Sequence, residues 1–304
     1  MPLNTYIIEG GIGKCVSFTA LLPQIVEKTG QPVQIVTPYI DAFAGNPLVK
    51  MCYDEGSVPL DYPGILESDN IIYFEPYKSN FVKGDDHILK SFSDLLDIPY
   101  DINVRPQLYT DHLKADLDKW LEERSIKKYM LVQFTGGQTP LGWDINNQYV
   151  SSNPGRNYPP YFAQGIINAF TESYPDITII DITLPNEPGY ANTIKCELPW
   201  PYLHELVKNS EGFIAIDSML QHLAASAGVS GVVLWGNTRW TQFGWMHHKN
   251  MSFHDKNKFN TYYKMDINDP RNIMIDPQEI INVFEKHVLG KKTDLSAIQP
   301  AHKK

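Results

Sequence analysis

The sequence predicts an α/β protein made of two Rossmann-like halves, and three observations carry that prediction. Short apolar runs rich in Val, Ile, Phe and Tyr alternate with segments of helical periodicity, the pattern of parallel strands covered by helices. A charged stretch, Glu122-Glu123-Arg124-Ser125-Ile126-Lys127-Lys128, interrupts the alternation and reads as a hinge. A second strand series then opens with Tyr129-Met130-Leu131-Val132-Gln133-Phe134. Residues 1–125 and 126–290 are therefore expected to form two lobes, followed by a polar tail over 291–304. The ligand is expected in the crevice between them, at the carboxyl ends of the strands.

In the first half the apolar runs predict strands over 6–9, 33–37 and 71–74, with helices over about 18–28 and 110–123. In the second half they predict strands over 129–134, 177–182, 213–216 and 231–235. Phe162, Ile166, Ile167 and Phe170 fall on one helical face, as a helix packed on a sheet requires. Asp276-Pro277-Gln278-Glu279 is a helix start: a capping Asp, Pro at the first helical position, and acidic groups against the positive helix end. That helix carries Ile280, Ile281, Val283, Phe284 and Val288 before Gly290 stops it.

With 304 residues, 42% hydrophobic and 20% charged, the chain can bury one large core or two ordinary ones, and disorder is excluded as its main state. Its 26 basic against 35 acidic residues give a net charge of −9, opposite to the broad cationic surface that binding a phosphate backbone needs. No stretch approaches the roughly 18–20 apolar residues of a membrane span, and Met1 leads into the strand-like Tyr6-Ile7-Ile8 without a signal-peptide profile. A soluble, cytoplasmic protein is expected, with no stable membrane insertion. Cys15, Cys52 and Cys196 are odd in number and lack zinc spacing, so reduced thiols are expected. Cys15 is either a nucleophile or a small apolar residue opening a helix.

The first strand runs into Glu9-Gly10-Gly11-Ile12-Gly13-Lys14, where a glycine turn could bring a ligand to backbone amides and a helix N-terminus. It is not a Walker loop, since Cys15 stands where Ser or Thr should hold magnesium, and Val16 breaks the dinucleotide pattern. A tight turn with no ligand is the competing reading. More informative is Asp217-Ser218-Met219-Leu220-Gln221-His222-Leu223-Ala224-Ala225-Ser226-Ala227-Gly228, which precedes the apolar run 231–235 and Gly236-Asn237-Thr238. A short polar turn into an Ala-rich helix can present amides and a hydroxyl to a diphosphate. His222 is either part of that site or a core histidine.

This string resembles the C-terminal motif of the heptosyltransferase-like glycosyltransferases (family 9). Asp217, Ser218, His222, Ala224, Ala225, Gly228 and Gly236-Asn237-Thr238 match; Met219 and Ser230 replace the family's Gly and Pro. The likeness runs over roughly 5–290. Gly13 to Leu22 is similar to the family's opening turn and helix, and Asn46-Pro47-Leu48-Val49 to a segment after its second strand. Phe134-Thr135-Gly136-Gly137 is similar to the glycine turn of its donor domain, and Arg156-Asn157-Tyr158-Pro159 to a basic-x-Trp-Pro element whose cation contacts donor phosphate.

The resemblance implies a GT-B fold with two Rossmann-like domains across a cleft: an N-terminal acceptor domain (1–125) and a C-terminal nucleotide-sugar domain (126–290). It implies an inverting, metal-independent glycosyltransferase, with a nucleotide-diphosphate sugar as donor substrate and no cofactor. Donor-side candidates are Gly136, Gly137, Arg156, Asp217, Ser218, Gln221 and His222; acceptor-side candidates are Gly10, Gly11, Gly13 and Lys14. The family's catalytic aspartate aligns with Lys14, and a protonated lysine cannot be the base. Glu9 at the end of the first strand is the substitute candidate and Asp41 the next, each with an ordinary loop carboxylate as its competing reading. The family's usual acceptor is a lipopolysaccharide saccharide. Residues 41–101 hold many Asp and Glu and no basic amphipathic surface, which leaves open another acceptor, including hydroxymethylated DNA of a phage-infected bacterial cell. A sugar-nucleotide epimerase or hydrolase, and a non-catalytic nucleotide-sugar-binding scaffold, remain the alternatives.

Other features carry less. Trp235, Trp240, Trp245, His247 and His248 could stack on a ring or pack a loop; His247, His248, His254 and Asp255 match no metal spacing. Tyr158-Pro159-Pro160-Tyr161 reads as a rigid turn, and Glu197 with Leu198-Pro199-Trp200-Pro201-Tyr202 occupies a position where such domains recognise nucleotides.

Overall fold

In the computed structural model the described residues are 4–56, 70–73, 86–136, 142–143, 149–150, 156–183, 187–236, 238–252 and 275–290. The first lobe holds β1 (Asn4–Ile7), β2 (Val33–Thr37), β3 (Val49–Asp54) and β4 (Asn70–Tyr73), all parallel in the order β3-β2-β1-β4. Its helices are α1 (Ile12–Phe18), α2 (Leu22–Thr29) and α3 (Ile88–Leu96). The helix expected over 18–28 is in fact α1 and α2 joined by a 3₁₀ turn at Thr19–Leu21, with Pro23 in the first turn of α2 where it needs no amide partner. Helix α4 (Lys114–Glu123) follows, and a loop through Ser125 leads into the second lobe.

There β5 (Tyr129–Gln133) starts a second parallel sheet. A short antiparallel pair, β6 (Gly142–Trp143) with β7 (Tyr149–Val150), stands apart from it. The sheet continues with β8 (Thr178–Asp181), β9 (Ile194–Lys195), β10 (Phe213–Ile216), β11 (Gly231–Trp235) and β12 (Lys249–Ser252), in the order β12-β11-β10-β5-β8-β9. Its helices are α5 (Pro160–Ser173), α6 (Trp200–Lys208), α7 (Met219–Ala227), α8 (Trp240–Phe243) and α9 (Pro277–His287). The Asp276 cap forms as the sequence predicts, its carboxylate accepting the Gln278 amide at 2.7 Å.

The middle strands β5, β10 and β11 are buried along their whole length, which is why they read as unbroken apolar runs. The edge strands β3, β9 and β12 were not expected, because they are short or half-exposed and lack such runs. Helix α3 was missed also; the side chain of His87 caps it by accepting the Leu89 amide. The stretch Leu198-Pro199-Trp200-Pro201-Tyr202, read as a place where such domains recognise nucleotides, opens helix α6. Phe74, Gly137, Asn237, His254, Asp255 and the 291–304 tail lie outside the described residues.

One apolar cluster runs through both lobes. Tyr6, Phe18, Ile35 and Phe92 from the first pack in continuity with Leu131, Leu206, Phe213 and Leu220 from the second. Phe18 and Phe92 meet edge to face at 5.8 Å, a geometry that adds about 0.5–1.5 kcal/mol to the burial of each ring. A second cluster, with Phe134, Ile166, Phe170, Ile214 and Phe284, seals the opposite face of the larger sheet under α5 and α9. Helix α4 precedes the hinge in sequence yet packs on α6 of the second lobe. There the Thr110 hydroxyl lies 2.6 Å from both His204 Nδ1 and Glu205 Oε1, and Lys208 joins Glu205 to Asp111.

Candidate functional site

Parallel strands in each sheet end at the same side, so the loops after β1, β5, β8 and β10 converge on one cavity of about 990 Å³ between the lobes. The first lobe lines it with Gly10, Gly11, Gly13, Lys14, Ser17 and Tyr39. The second contributes Gln133, Thr135, Gly136, Arg156, Asp217, Ser218, Met219 and His222. An apolar end is formed by Ile182, Cys196, Leu198, Trp200 and Leu203, with Tyr39 meeting Trp200 edge to face across the lobes.

On the second-lobe side, Ser218 ends its strand turn in extended conformation and α7 begins at the next residue. Ser218 does not cap its own helix. Its hydroxyl donates to Gln133 Oε1 at 2.6 Å, and the same oxygen accepts the Leu220 amide at 3.3 Å. Gln133 therefore fills the capping role, and with its one proton committed, the Ser218 hydroxyl does not donate into the cavity as the sequence suggests. Arg156 Nε donates to the Asp217 carbonyl at 2.7 Å, and its Nη2 lies 3.9 Å from the Asp217 carboxylate. This leaves guanidinium donors beside the first turn of α7, where unpaired helix amides favour an anion. Gly136 also reaches the cavity, but its amide is taken by Asn157 Oδ1 at 3.0 Å.

His222 ties the two walls together. Its Nδ1 accepts the Trp245 indole N–H at 3.0 Å and lies 3.1 Å from the Ser17 hydroxyl of the first lobe. An indole can only donate, so the proton of the neutral ring sits on Nε2, at the side facing Gly13. Burial lowers the pKa of His222 to about 4, so the ring is neutral at pH 7. A Cβ at Gly13 would stand 2.6 Å from His222 Cδ2, so only glycine permits this approach. Gln221 does not line the cavity: its amide donates to Asp217 Oδ1 at 3.1 Å and braces the turn from behind.

On the first-lobe side, Gly10 takes φ +100°, a backbone region reserved for glycine, and Lys14 folds back over it and is buried. Glu9 is half-buried and off the cavity lining; the Tyr73 hydroxyl at the end of β4 donates to its carboxylate. Burial, then the charge of Glu9, raises the pKa of Glu55. Asp41 is exposed and stands off the cavity. Cys15 is buried and its thiol is pushed up to about 11, chiefly by burial, which removes the nucleophile reading. Trp235 and Trp245 are core residues that donate to Asn250 and His222, whereas Thr238 and Phe243 from the same region reach the cavity. Among the described residues, no group of three or more His, Cys, Asp or Glu could hold a metal ion, and no helix is long and apolar enough to cross a membrane.

Sequence reasoning missed Gln133, Ser17 and Tyr39. Gln133 carried a signal, as the one polar residue closing an apolar strand; the others gave none.

The two facing lobes define a GT-B fold. Neither a protein-family model nor a curated protein sequence matches the chain. Its structure is similar to a family 9 glycosyltransferase from Veillonella parvula, with TM-score 0.69 and 10% identity over 95% of this chain and 98% of that one. It is similar to the ADP-heptose LPS heptosyltransferase II of E. coli, with TM-score 0.67 and 11% identity over 95% and 99% of the two chains. A further E. coli heptosyltransferase, solved with ADP-2-deoxy-2-fluoro heptose, aligns at TM-score 0.54 and 10% identity over 93% and 99%. At such identities the likeness fixes the fold and leaves the chemistry to the residues.

Proposed function

We propose that this chain is an inverting, metal-independent glycosyltransferase of the heptosyltransferase-like kind, moving a sugar from a nucleotide-diphosphate donor to a hydroxyl of a saccharide acceptor. The observation that carries the reading is the composition of the cavity. One wall combines the Arg156 guanidinium with the first turn of α7, and the facing wall combines the glycine turn Gly10 to Gly13 with Lys14. Residues 126–290 then supply the donor site and 1–125 the acceptor side. Asp217, braced by Gln221, orients Arg156 on the diphosphate, and the His222 Nε2–H adds a neutral donor. Gly136, which lines the cavity, lets the donor approach the chain.

In the reaction the acceptor oxygen attacks the anomeric carbon while the bond to the diphosphate breaks. Charge building on the leaving oxygens is stabilised by Arg156 and by the positive end of α7. The acceptor proton passes to a carboxylate, for which Glu9, next in sequence to the glycine turn that lines the cavity, is preferred over Asp41. A net charge of −9 favours a saccharide over DNA as acceptor.

The test is nucleotide release from a panel of nucleotide sugars, with and without lipopolysaccharide-core saccharides and hydroxymethylated DNA. Release that depends on an added saccharide is the expected result. Conversion of the donor alone would mark an epimerase or hydrolase, and binding without turnover a scaffold.

A further inference from the structure

Gln133 closes β5, the strand between β10 and β8 in the middle of the larger sheet, and the two ends of its carboxamide differ. Its Oε1 is held twice at the mouth of α7, by the Ser218 hydroxyl at 2.6 Å and the Leu220 amide at 3.3 Å. A backbone N–H can only donate, so the atom facing α7 is the oxygen, and the NH2 group occupies the other corner of the planar amide. That group, Nε2, meets no acceptor among the described residues, although Gln133 is only 8% exposed. Donors left unpaired in so enclosed a place are costly, and the side chain lines the cavity, from which a partner can come. Arg156 stands at the same turn, its Nε on the Asp217 carbonyl at 2.7 Å. The Asp217 carboxylate is engaged there by Gln221 at 3.1 Å and faces Arg156 Nη2 at 3.9 Å. A guanidinium, a positive helix end and a fixed NH2 group thus offer donors to one place, which is the demand of an anion.

We propose that Gln133 is a donor-binding residue: its Nε2 donates to an oxygen of the diphosphate seated at the mouth of α7, in the place of the Ser218 hydroxyl. The inference rests on the transferase reading above and adds a contact to it. The arrangement is a relay. Ser218 donates to Oε1, which polarises the amide and strengthens Nε2–H as a donor, while the Leu220 amide fixes the orientation of the whole group. Ser218 therefore acts on the ligand through Gln133, with its own proton turned away from the cavity. Gln133 and Arg156 have different parts. The guanidinium supplies charge; the amide is neutral and rigidly held, and it sets which oxygen faces α7. As the bond to the anomeric carbon breaks, charge grows on the diphosphate oxygens, and a donor already in place meets it without rearrangement.

The test is calorimetric titration of the full chain with inorganic pyrophosphate, ADP and UDP, comparing wild type with Gln133→Glu, Gln133→Met and Arg156→Ala. Gln133→Glu keeps an oxygen for Ser218 and Leu220 but removes both N–H donors and sets a carboxylate against the ligand. It should hold the wild-type Tm and weaken binding about 100-fold. Gln133→Met is neutral and loses the cap as well, so Tm should fall and binding weaken about tenfold. Unchanged affinity in Gln133→Met would reduce the effect of Gln133→Glu to charge repulsion and overturn the proposal. A readout that needs no variant is the pair of side-chain NH2 resonances of Gln133, assigned through its own side-chain carbons in 1H–15N NMR spectra. They should move downfield as pyrophosphate is added, and resonances that stay in place refute the contact. Arg156→Ala separates the two readings. If it weakens binding while the Gln133 resonances stay still, the proposal alone falls. If the wild type binds none of the three probes, or Arg156→Ala binds them as well as wild type, the donor site is misplaced and the proposal falls with it.

Discussion

The segments Glu9–Ile12 and Asp217–Met219 both carry the chain from a buried parallel strand into a helix that points at the same cavity, yet they are held in opposite ways. In the second lobe the side chains of the turn are held by other groups of that lobe: Ser218 on Gln133, Asp217 on Arg156 and Gln221. That wiring fixes a cation and a helix end in one geometry, which suits a ligand whose charge is known in advance. In the first lobe the turn is two glycines with a lysine folded over them, and its polar partners are the ends of neighbouring strands. The two meet at His222, which leans on Gly13 and Ser17 of the first lobe while belonging to the second.

The largest way to break this arrangement is acid. His87 bridges the lobes through the Gly244 carbonyl, and both His87 and His222 have pKa values lowered by burial to about 4, against 6.5 in the unfolded chain. The unfolded state binds more protons in that window, so stability is intact above about pH 6.5 and is lost as pH falls toward 4. Each buried histidine contributes on the order of 3 kcal/mol to the loss. Thermal unfolding from pH 7.5 to 4.5 should show a steep drop in Tm, and His87→Gln should lessen it without abolishing it, since His204, His247 and His248 are lowered by burial too; a level wild-type profile would place these rings in a wetter setting.

Next in size is Arg156→Ala. Removing a charge-assisted donor set should weaken binding of a nucleoside diphosphate by about 10- to 100-fold. Calorimetric titration with UDP, ADP and GDP checks this, and unchanged affinity would move the diphosphate elsewhere. Smaller still, Gly13→Ala must push back the His222 ring against Trp245, and should cost about 1–3 kcal/mol of stability. Urea unfolding reads that directly; a neutral substitution would mean that the ring yields and the lobes separate easily.

Legibility followed burial. The central strands β2, β5, β10 and β11 were readable because full burial on both faces leaves an uninterrupted apolar run, and α9 because its cap is written in four consecutive residues. Edge strands β3, β9 and β12 were not, since an edge needs few apolar residues to hold its place. Within the site, the residues of the Asp217–His222 string are adjacent in sequence and were read together. Glu9 was legible as a strand-end carboxylate, but its partner Tyr73 lies 64 positions further along, and no local pattern joins them.

The sequence alone determined the α/β class, the division into two strand series and the polar string at the head of α7, because periodicity and turn chemistry are local properties. Tertiary structure alone decided that Gln133 caps α7 in place of Ser218, that His222 is the joint between the lobes, and that Tyr73 holds the Glu9 carboxylate. Each of these is a hydrogen bond between residues brought together only when parallel strands end at a common edge, and that edge is a product of sheet order, which no single segment encodes.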